Sequence, residues 1–248
     1  MTLLSSFSTD ANVAVIGASG GIGDAFVRLL ASDESVAKIH AFSRTASGTD
    51  LPKVTTRRIQ LEDESTIAAA AADATSEAPL DLVFVASGML WRGDTLRPEK
   101  SMRDMSIDGL SQLFAINAAG PALVAKHFLP TLGKRSKTLF AALSARVGSI
   151  GDNRLGGWYS YRASKAALNM LLRTLAIEHA RQWPQSVVAG LHPGTVDTPL
   201  SSPFTSRTPP GQLFSPETSA RHLLKVMDKL GPDDSGAVFA WDGKRIEF

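Results

Sequence analysis

The chain has 248 residues, 44% of them hydrophobic and 20% charged, a globular composition that excludes disorder and collagen-like repeats. Against 24 acidic side chains stand 26 basic ones, a formal charge of +2 that is too small an excess to imply nucleic acid. No cysteine occurs, which excludes disulfides, thiolate catalysis and Cys-ligated zinc and suits a reducing compartment.

Residues 1–10 contain Leu3, Leu4 and Phe7, with no basic residue before them and no long apolar run. The expectation is neither a secretion signal nor a membrane span, and a cytoplasmic location. From there β-rich runs at 13–16, 36–42, 54–59, 82–86, 138–143, 187–191 and 237–241 alternate with helical patterns at 22–31, 64–74, 106–132, 160–180 and 216–230. Several of the runs are continuously apolar, as strands buried on both faces are. The alternation predicts one α/β domain over residues 1–248, a doubly wound, seven-stranded parallel sheet of Rossmann type with helices on both faces. The last helix is well signalled, with Ser215 as cap, Pro216 at its first position and Gly231-Pro232 beyond its end. The longest irregular stretch, 199–211, carries Pro199, Pro203, Pro209 and Pro210, and a loop of that length in a compact domain is usually functional.

Val13-Ala14-Val15-Ile16 runs directly into Gly17-Ala18-Ser19-Gly20-Gly21-Ile22-Gly23, and Phe26, Val27, Leu29 and Leu30 continue as a helix face. Glycine suits a sharp turn, a close approach of phosphate to the backbone, and a helix packed hard on its strand. The helix N-terminus then offers N–H groups and about half a positive charge to an anion. A tight turn with nothing bound is the plainer alternative. No Lys-Ser or Lys-Thr follows the glycines, which disfavours a nucleotide-hydrolysing loop. The second strand ends in Ser43-Arg44-Thr45 without a carboxylate. An acidic residue there would accept ribose hydroxyls and repel a 2′-phosphate, whereas Arg44 can bind that phosphate, so NADP(H) is expected over NAD(H). A solvated surface arginine is the alternative.

The chain's two tyrosines are Tyr159 and Tyr161, and Lys165 lies four residues after the second. On a helix that spacing puts both groups on one face. A phenol must lose about three pKa units, ~4 kcal/mol, to act as a base near neutrality, and an ammonium supplies part of that. By spacing alone, a helix-surface contact remains open.

Gly17-x-x-x-Gly21-x-Gly23 together with Tyr161-x-x-x-Lys165 resembles the short-chain dehydrogenase/reductase family over almost the whole chain. Ala86-Ser87-Gly88 resembles the family's Asn-Asn-Ala-Gly segment without its asparagines, Asn117 its helix asparagine, and Pro193-Gly194-Thr195-Val196-Asp197-Thr198 its Pro-Gly motif. Gly148-Ser149-Ile150, Tyr159-Ser160-Tyr161-Arg162 and Trp241-Asp242-Gly243-Lys244 look most like the C-factor or carbonyl-reductase-like branch. The resemblance implies hydride transfer between a nicotinamide and a carbonyl or secondary alcohol. Tyr161 would move the proton, Lys165 would lower its pKa and hold the nicotinamide ribose, and Asn117 would interrupt its helix and hold a water. Gly17, Ser19, Gly20, Gly21, Ile22, Gly23, Arg44 and Ala86 to Gly88 would line the dinucleotide, with Pro193, Gly194, Val196 and Thr198 beside the carboxamide.

The family's serine after the fifth strand falls by counting on Ala145; Ser144, one residue earlier, is expected to take the role, with Ser149 as fallback. Arg146 reads as a solvated residue or one that meets a polar substrate or a neighbouring chain. Gln60 replaces an aspartate, leaving the Leu61 and Glu62 region to line the adenine pocket. His192 is expected to pack at a strand end, and the five histidines show no metal-ligand spacing. Residues 89–94 and 199–211 would shape the substrate pocket. A small-molecule partner, no nucleic acid, no membrane, and a homodimer or homotetramer are expected. Two other readings are a C-factor-type dinucleotide-binding signalling protein, which the presence of Tyr161, Lys165 and Asn117 disfavours, and a sugar-nucleotide epimerase, for which too little chain follows the sheet.

Overall fold

The computed structural model describes residues 2–45, 50–207, 209 and 211–248; Met1, and Thr208 and Pro210 of the expected loop, lie outside the described residues. The elements run β1 (Ala11–Ile16), α1 (Gly21–Ala31), β2 (Val36–Ser43), β3 (Val54–Arg58), α2 (Glu64–Ala74), β4 (Leu82–Val85), α3 (Ile107–Phe114), α4 (Gly120–Phe128), β5 (Thr138–Leu143), α5 (Tyr159–His179), β6 (Ser186–His192), β7 (Thr195–Val196), β8 (Leu213–Phe214), α6 (Pro216–Lys229), β9 (Val238–Ala240) and β10 (Arg245–Ile246).

The main sheet has the order β10-β9-β6-β5-β4-β1-β2-β3. All seven expected strands are in it and pair in parallel, and β10 adds an eighth, antiparallel strand beside β9. The sheet is therefore eight-stranded rather than seven-stranded. Two residues are too few to show a period of two in a sequence. The turn that returns β10, with Gly243 at φ +83° in Asp242-Gly243, is the local sign of this hairpin. Strands β7 and β8, equally short, form a separate parallel pair.

Alternation along the strands divides the core. Val13, Val15, Leu82, Phe84, Leu139 and Ala141 face Phe26, Leu30, Leu223 and Met227 of α1 and α6. Ala14, Ile16, Val83, Val85, Phe140 and Ala142 face Ile67, Val124, Phe128 and Leu172 of α2, α4 and α5. Both faces are thus covered, which is why the central strands read as unbroken apolar runs. The helix expected over 106–132 is broken by a π-helical turn, Ala115–Ala119, with Asn117 inside it. Among the described residues no helix is long and apolar enough to cross a membrane.

Candidate active site

The strand order reverses between β1 and β4, and a crevice opens where the loops leaving these neighbours diverge. Gly17 turns the chain at φ +88°. Its N–H and that of Ala18 donate to the Phe42 carbonyl at 2.8 and 3.0 Å. A Cβ at Gly17 would lie 2.7 Å from the Ser87 nitrogen, and one at Gly23 would lie 2.2 Å from the Gly17 oxygen. Backbone therefore meets backbone at both positions, and no side chain fits. Ser19 and Gly20 are exposed at the crest of the turn, and Ile22 packs on the core beneath. Helix α1 starts without a side-chain cap, so its first N–H groups remain available to an anion.

Three further segments face this turn. Ala86 donates its N–H to the Ile16 carbonyl at 2.7 Å, tying the loop after β4 to the end of β1. The side chain of Thr198 covers the start of α1, 2.8 Å from where a Gly21 Cβ would be, and Gly194, at φ +79°, lies under the Phe214 ring. The Pro193 carbonyl accepts from Ser219 Oγ at 2.9 Å, and the Val196 carbonyl accepts from Ser201 Oγ. The hydroxyls of Ser43, at the end of β2, and Ser87 are buried without a partner among the described residues. Arg44 follows, exposed and in no ion pair among those residues. A glycine cradle that a Cβ would fill, an uncapped helix and two buried, unpartnered hydroxyls fit a nicotinamide dinucleotide.

Tyr161 and Lys165 sit in the first two turns of α5, both buried. The Lys165 Nζ lies 5.9 Å from the centre of the Tyr161 ring and donates to the Leu143 carbonyl at 2.7 Å. Asn117, fully buried, accepts from the Met89 N–H at 2.8 Å and donates from Nδ2 to the Met89 carbonyl at 2.7 Å and to Ser164 Oγ at 3.1 Å. Ser164 in turn donates to the Tyr161 carbonyl at 2.8 Å, a link that only the fold reveals. A Cβ at Gly88 would lie 3.6 Å from Asn117 Oδ1 and 3.7 Å from Lys165 Nζ, so the loop after β4, the π turn and α5 converge. The π turn breaks the helical ladder where Asn117 must reach inward.

Burial governs both titrations. It pushes the Tyr161 phenol up to about 12 and the Lys165 ammonium down to about 8, because each charged form is poorly solvated there. Burial acts on the phenol in the direction opposite to the lowering expected from Lys165. At neutral pH Tyr161 holds its proton, and its hydroxyl donates to no protein group among the described residues.

Ser144, expected to take the serine role, is hydrogen-bonded to α5. Ser144 donates to Asn169 Oδ1 at 2.6 Å and is buried against α5. Ala145, in extended backbone, packs instead on the apolar cluster that contains Tyr161. Successive extended residues point to opposite sides, so Ser144 and Ala145 meet different surroundings, Asn169 for the one and the apolar cluster for the other. Ser149 is buried and accepts from the Asp152 N–H at 3.1 Å. Arg146 pairs with Asp152 at 2.5 Å. His192 packs at the end of β6, where burial holds its imidazole down to about 4 and so neutral. Leu61 packs on the core and crowds Gly120. Among the described residues no cluster of His, Cys, Asp or Glu could hold a metal.

Glu99 escapes sequence reasoning. Its buried carboxylate accepts from the Ser160 hydroxyl and, at 3.3 Å, from the Ser160 N–H, while its carbonyl accepts from the Trp158 N–H at 2.7 Å. Trp158 stands at φ +52° and packs edge-on to Tyr161, ring centres 6.2 Å apart. The carboxylate thus satisfies the start of α5 from 61 residues away, and its one local sign is an acidic residue in a loop. Glu99→Ala should destabilise the fold by about 1–3 kcal/mol by leaving buried donors unpaired, and Glu99→Gln, which keeps an acceptor, by less. Denaturant unfolding of both variants measures this.

The profile of the short chain dehydrogenase family matches residues 11–208. The chain is 34% identical over 187 residues to 1-hydroxy-2-glutathionyl-2-methyl-3-butene dehydrogenase of Rhodococcus sp. (strain AD45), spanning 75% of this chain and 76% of that one. It is 34% identical over 146 residues to C-signal of Myxococcus xanthus, 59% of this chain and 82% of the other. Among solved structures it superposes on the NADPH-bound carbonyl reductase from chicken fatty liver with a TM-score of 0.83 and 26% identity, covering 98% of this chain and 97% of that one.

Proposed function

We propose that this chain, which belongs to the short-chain dehydrogenase family, is an NADP(H)-dependent oxidoreductase acting between a carbonyl and a secondary alcohol. The observation that carries the proposal is the meeting of a protonated, uncommitted Tyr161 phenol with Lys165, Asn117 and Gly88 beside the glycine turn. A bound nicotinamide dinucleotide supplies or accepts the hydride. Gly17, Ser19, Gly20, Gly21, Ile22 and Gly23 form the turn that receives its pyrophosphate, with the uncapped N–H groups at the start of α1 as donors. Arg44 and Ser43 take the 2′-phosphate, Ala86, Ser87 and Gly88 line the crevice, and Pro193, Gly194, Val196 and Thr198 hold the carboxamide end. Tyr161 gives the proton to the substrate oxygen in reduction and takes it back in oxidation. Lys165, positively charged below about 8, holds the nicotinamide ribose and supports negative charge on the phenol. Asn117 keeps the π turn and the loop after β4 together, which fixes the space beside Lys165.

We place the protein in the cytoplasm as one domain. We expect it to form a homodimer or homotetramer through the outer face of α5, where Met170 and Ile177 remain 67% and 52% exposed. The similarity to C-signal favours a second reading, a dinucleotide-binding signalling protein with little turnover. Titration with NADPH followed by nicotinamide fluorescence, then loss of nicotinamide absorbance with a panel of ketones, separates the two. Binding with turnover supports the oxidoreductase, binding with none across the panel supports the signal, and no binding overturns both.

A further inference from the structure

We propose, resting on the reading of Tyr161 as the proton-transferring group, that the reacting oxygen meets a single side-chain hydroxyl, and that the substrates are electron-poor carbonyls on an apolar, aromatic frame. The serine hydroxyls after β5 and in the first turns of α5 are hydrogen-bonded within the protein. Ser144 gives its proton to Asn169, Ser160 to Glu99 and Ser164 to the Tyr161 carbonyl, while Ser149 is buried with its oxygen accepting from the Asp152 N–H, and its own proton is what the Ser149→Ala variant tests. Against the apolar cluster that contains Tyr161 the chain packs the methyl group of Ala145. The surrounding side chains are Met89, Trp91, Val147, Trp158, Leu200 and Phe204. Trp91 is fixed by its indole N–H on the Leu200 carbonyl at 2.9 Å, and Trp158 packs edge-on to Phe204 at 5.2 Å. Such walls favour flat, uncharged groups over ionic ones, whose desolvation they do not repay.

In the reduction the carbonyl carbon gains a hydride from the reduced nicotinamide, which becomes oxidised, and the oxygen gains the Tyr161 proton, giving the alcohol. Negative charge grows on that oxygen before the proton arrives. A second donor aimed at such an oxygen typically contributes about 10²–10³ in rate, so a site with one donor depends on the substrate to spread the charge. A neighbouring electron-withdrawing carbonyl does this, and a plain ketone does not.

Acetophenone and ethyl benzoylformate share the aryl ketone and differ in that electron demand. Wild type should reduce the keto ester at least about 100-fold faster in kcat than acetophenone. Ala145→Ser should raise kcat on acetophenone about 10-fold or more while changing the keto ester less than about 3-fold, narrowing the ratio at an unchanged Kd for NADPH. Two results overturn the inference: a ratio that Ala145→Ser leaves intact in a variant that folds and binds NADPH, or a loss of about 100-fold in Ser144→Ala or Ser149→Ala, since either serine would then be the second donor. The serine variants decide the matter even where Ala145→Ser does not fold. Wild type that binds NADPH and reduces neither ketone removes the oxidoreductase reading itself, and this inference with it.

Discussion

Tyr161→Phe is expected to lower kcat for carbonyl reduction by about 10²–10⁴, the usual worth of a positioned general acid, with the Kd for NADPH changed by less than about threefold. The substitution removes one oxygen that donates to no protein group among the described residues, so the aromatic contacts with Trp158 persist and the fold should be kept. Steady-state kinetics beside a nicotinamide fluorescence titration measure both quantities, and undiminished turnover would show that another group delivers the proton. The same assignment fixes a pH dependence. With the phenol up at about 12 the proton donor stays loaded across the working range, so reduction should lose rate above about pH 8, where the Lys165 ammonium deprotonates. Lys165→Met should abolish that limb along with most of the activity.

Stability follows the same two groups. Lys165 holds its proton less tightly folded, at about 8, than at its ordinary 10.5, so the unfolded chain binds more protons in that window and stability rises with pH there. Tyr161 reverses the sign. Between its ordinary 10.0 and about 12 the folded chain keeps a proton that the unfolded chain has lost, and stability falls. Denaturant midpoints across this range, in wild type and Tyr161→Phe, isolate the second contribution, which should vanish in the variant.

Arg44→Asp should weaken NADPH binding by about 100-fold or more while leaving NADH within a fewfold or improving it. A guanidinium on a phosphate contributes about 1.5–3 kcal/mol as charge-assisted hydrogen bonds, and a carboxylate in its place repels the dianion and accepts ribose hydroxyls instead. Arg44 is exposed, so the preference should shrink with added salt. Competitive titrations of the two coenzymes at low and high ionic strength read the effect. An unchanged preference would assign the 2′-phosphate to another residue.

The order of strands and helices, the glycine turn and the Tyr161–Lys165 pair were legible in the linear chain because each is a local signal. Unbroken apolar runs, a helical period, and glycines where a Cβ would strike backbone all express themselves within a few residues of sequence. The short strands β7, β8 and β10 were less so, since two residues carry no period. Three matters were decided by contacts across the fold. Whether Ser144 or Ala145 packs on the apolar cluster that contains Tyr161 depends on the parity of an extended segment, and one residue of offset inverts it. The carboxylate that steadies α5 comes from Glu99, 61 residues before Ser160. The sign of the Tyr161 shift is set by how completely the assembled layers exclude water, which spacing along one helix does not encode: a period says which groups share a face, and only packing says what surrounds that face.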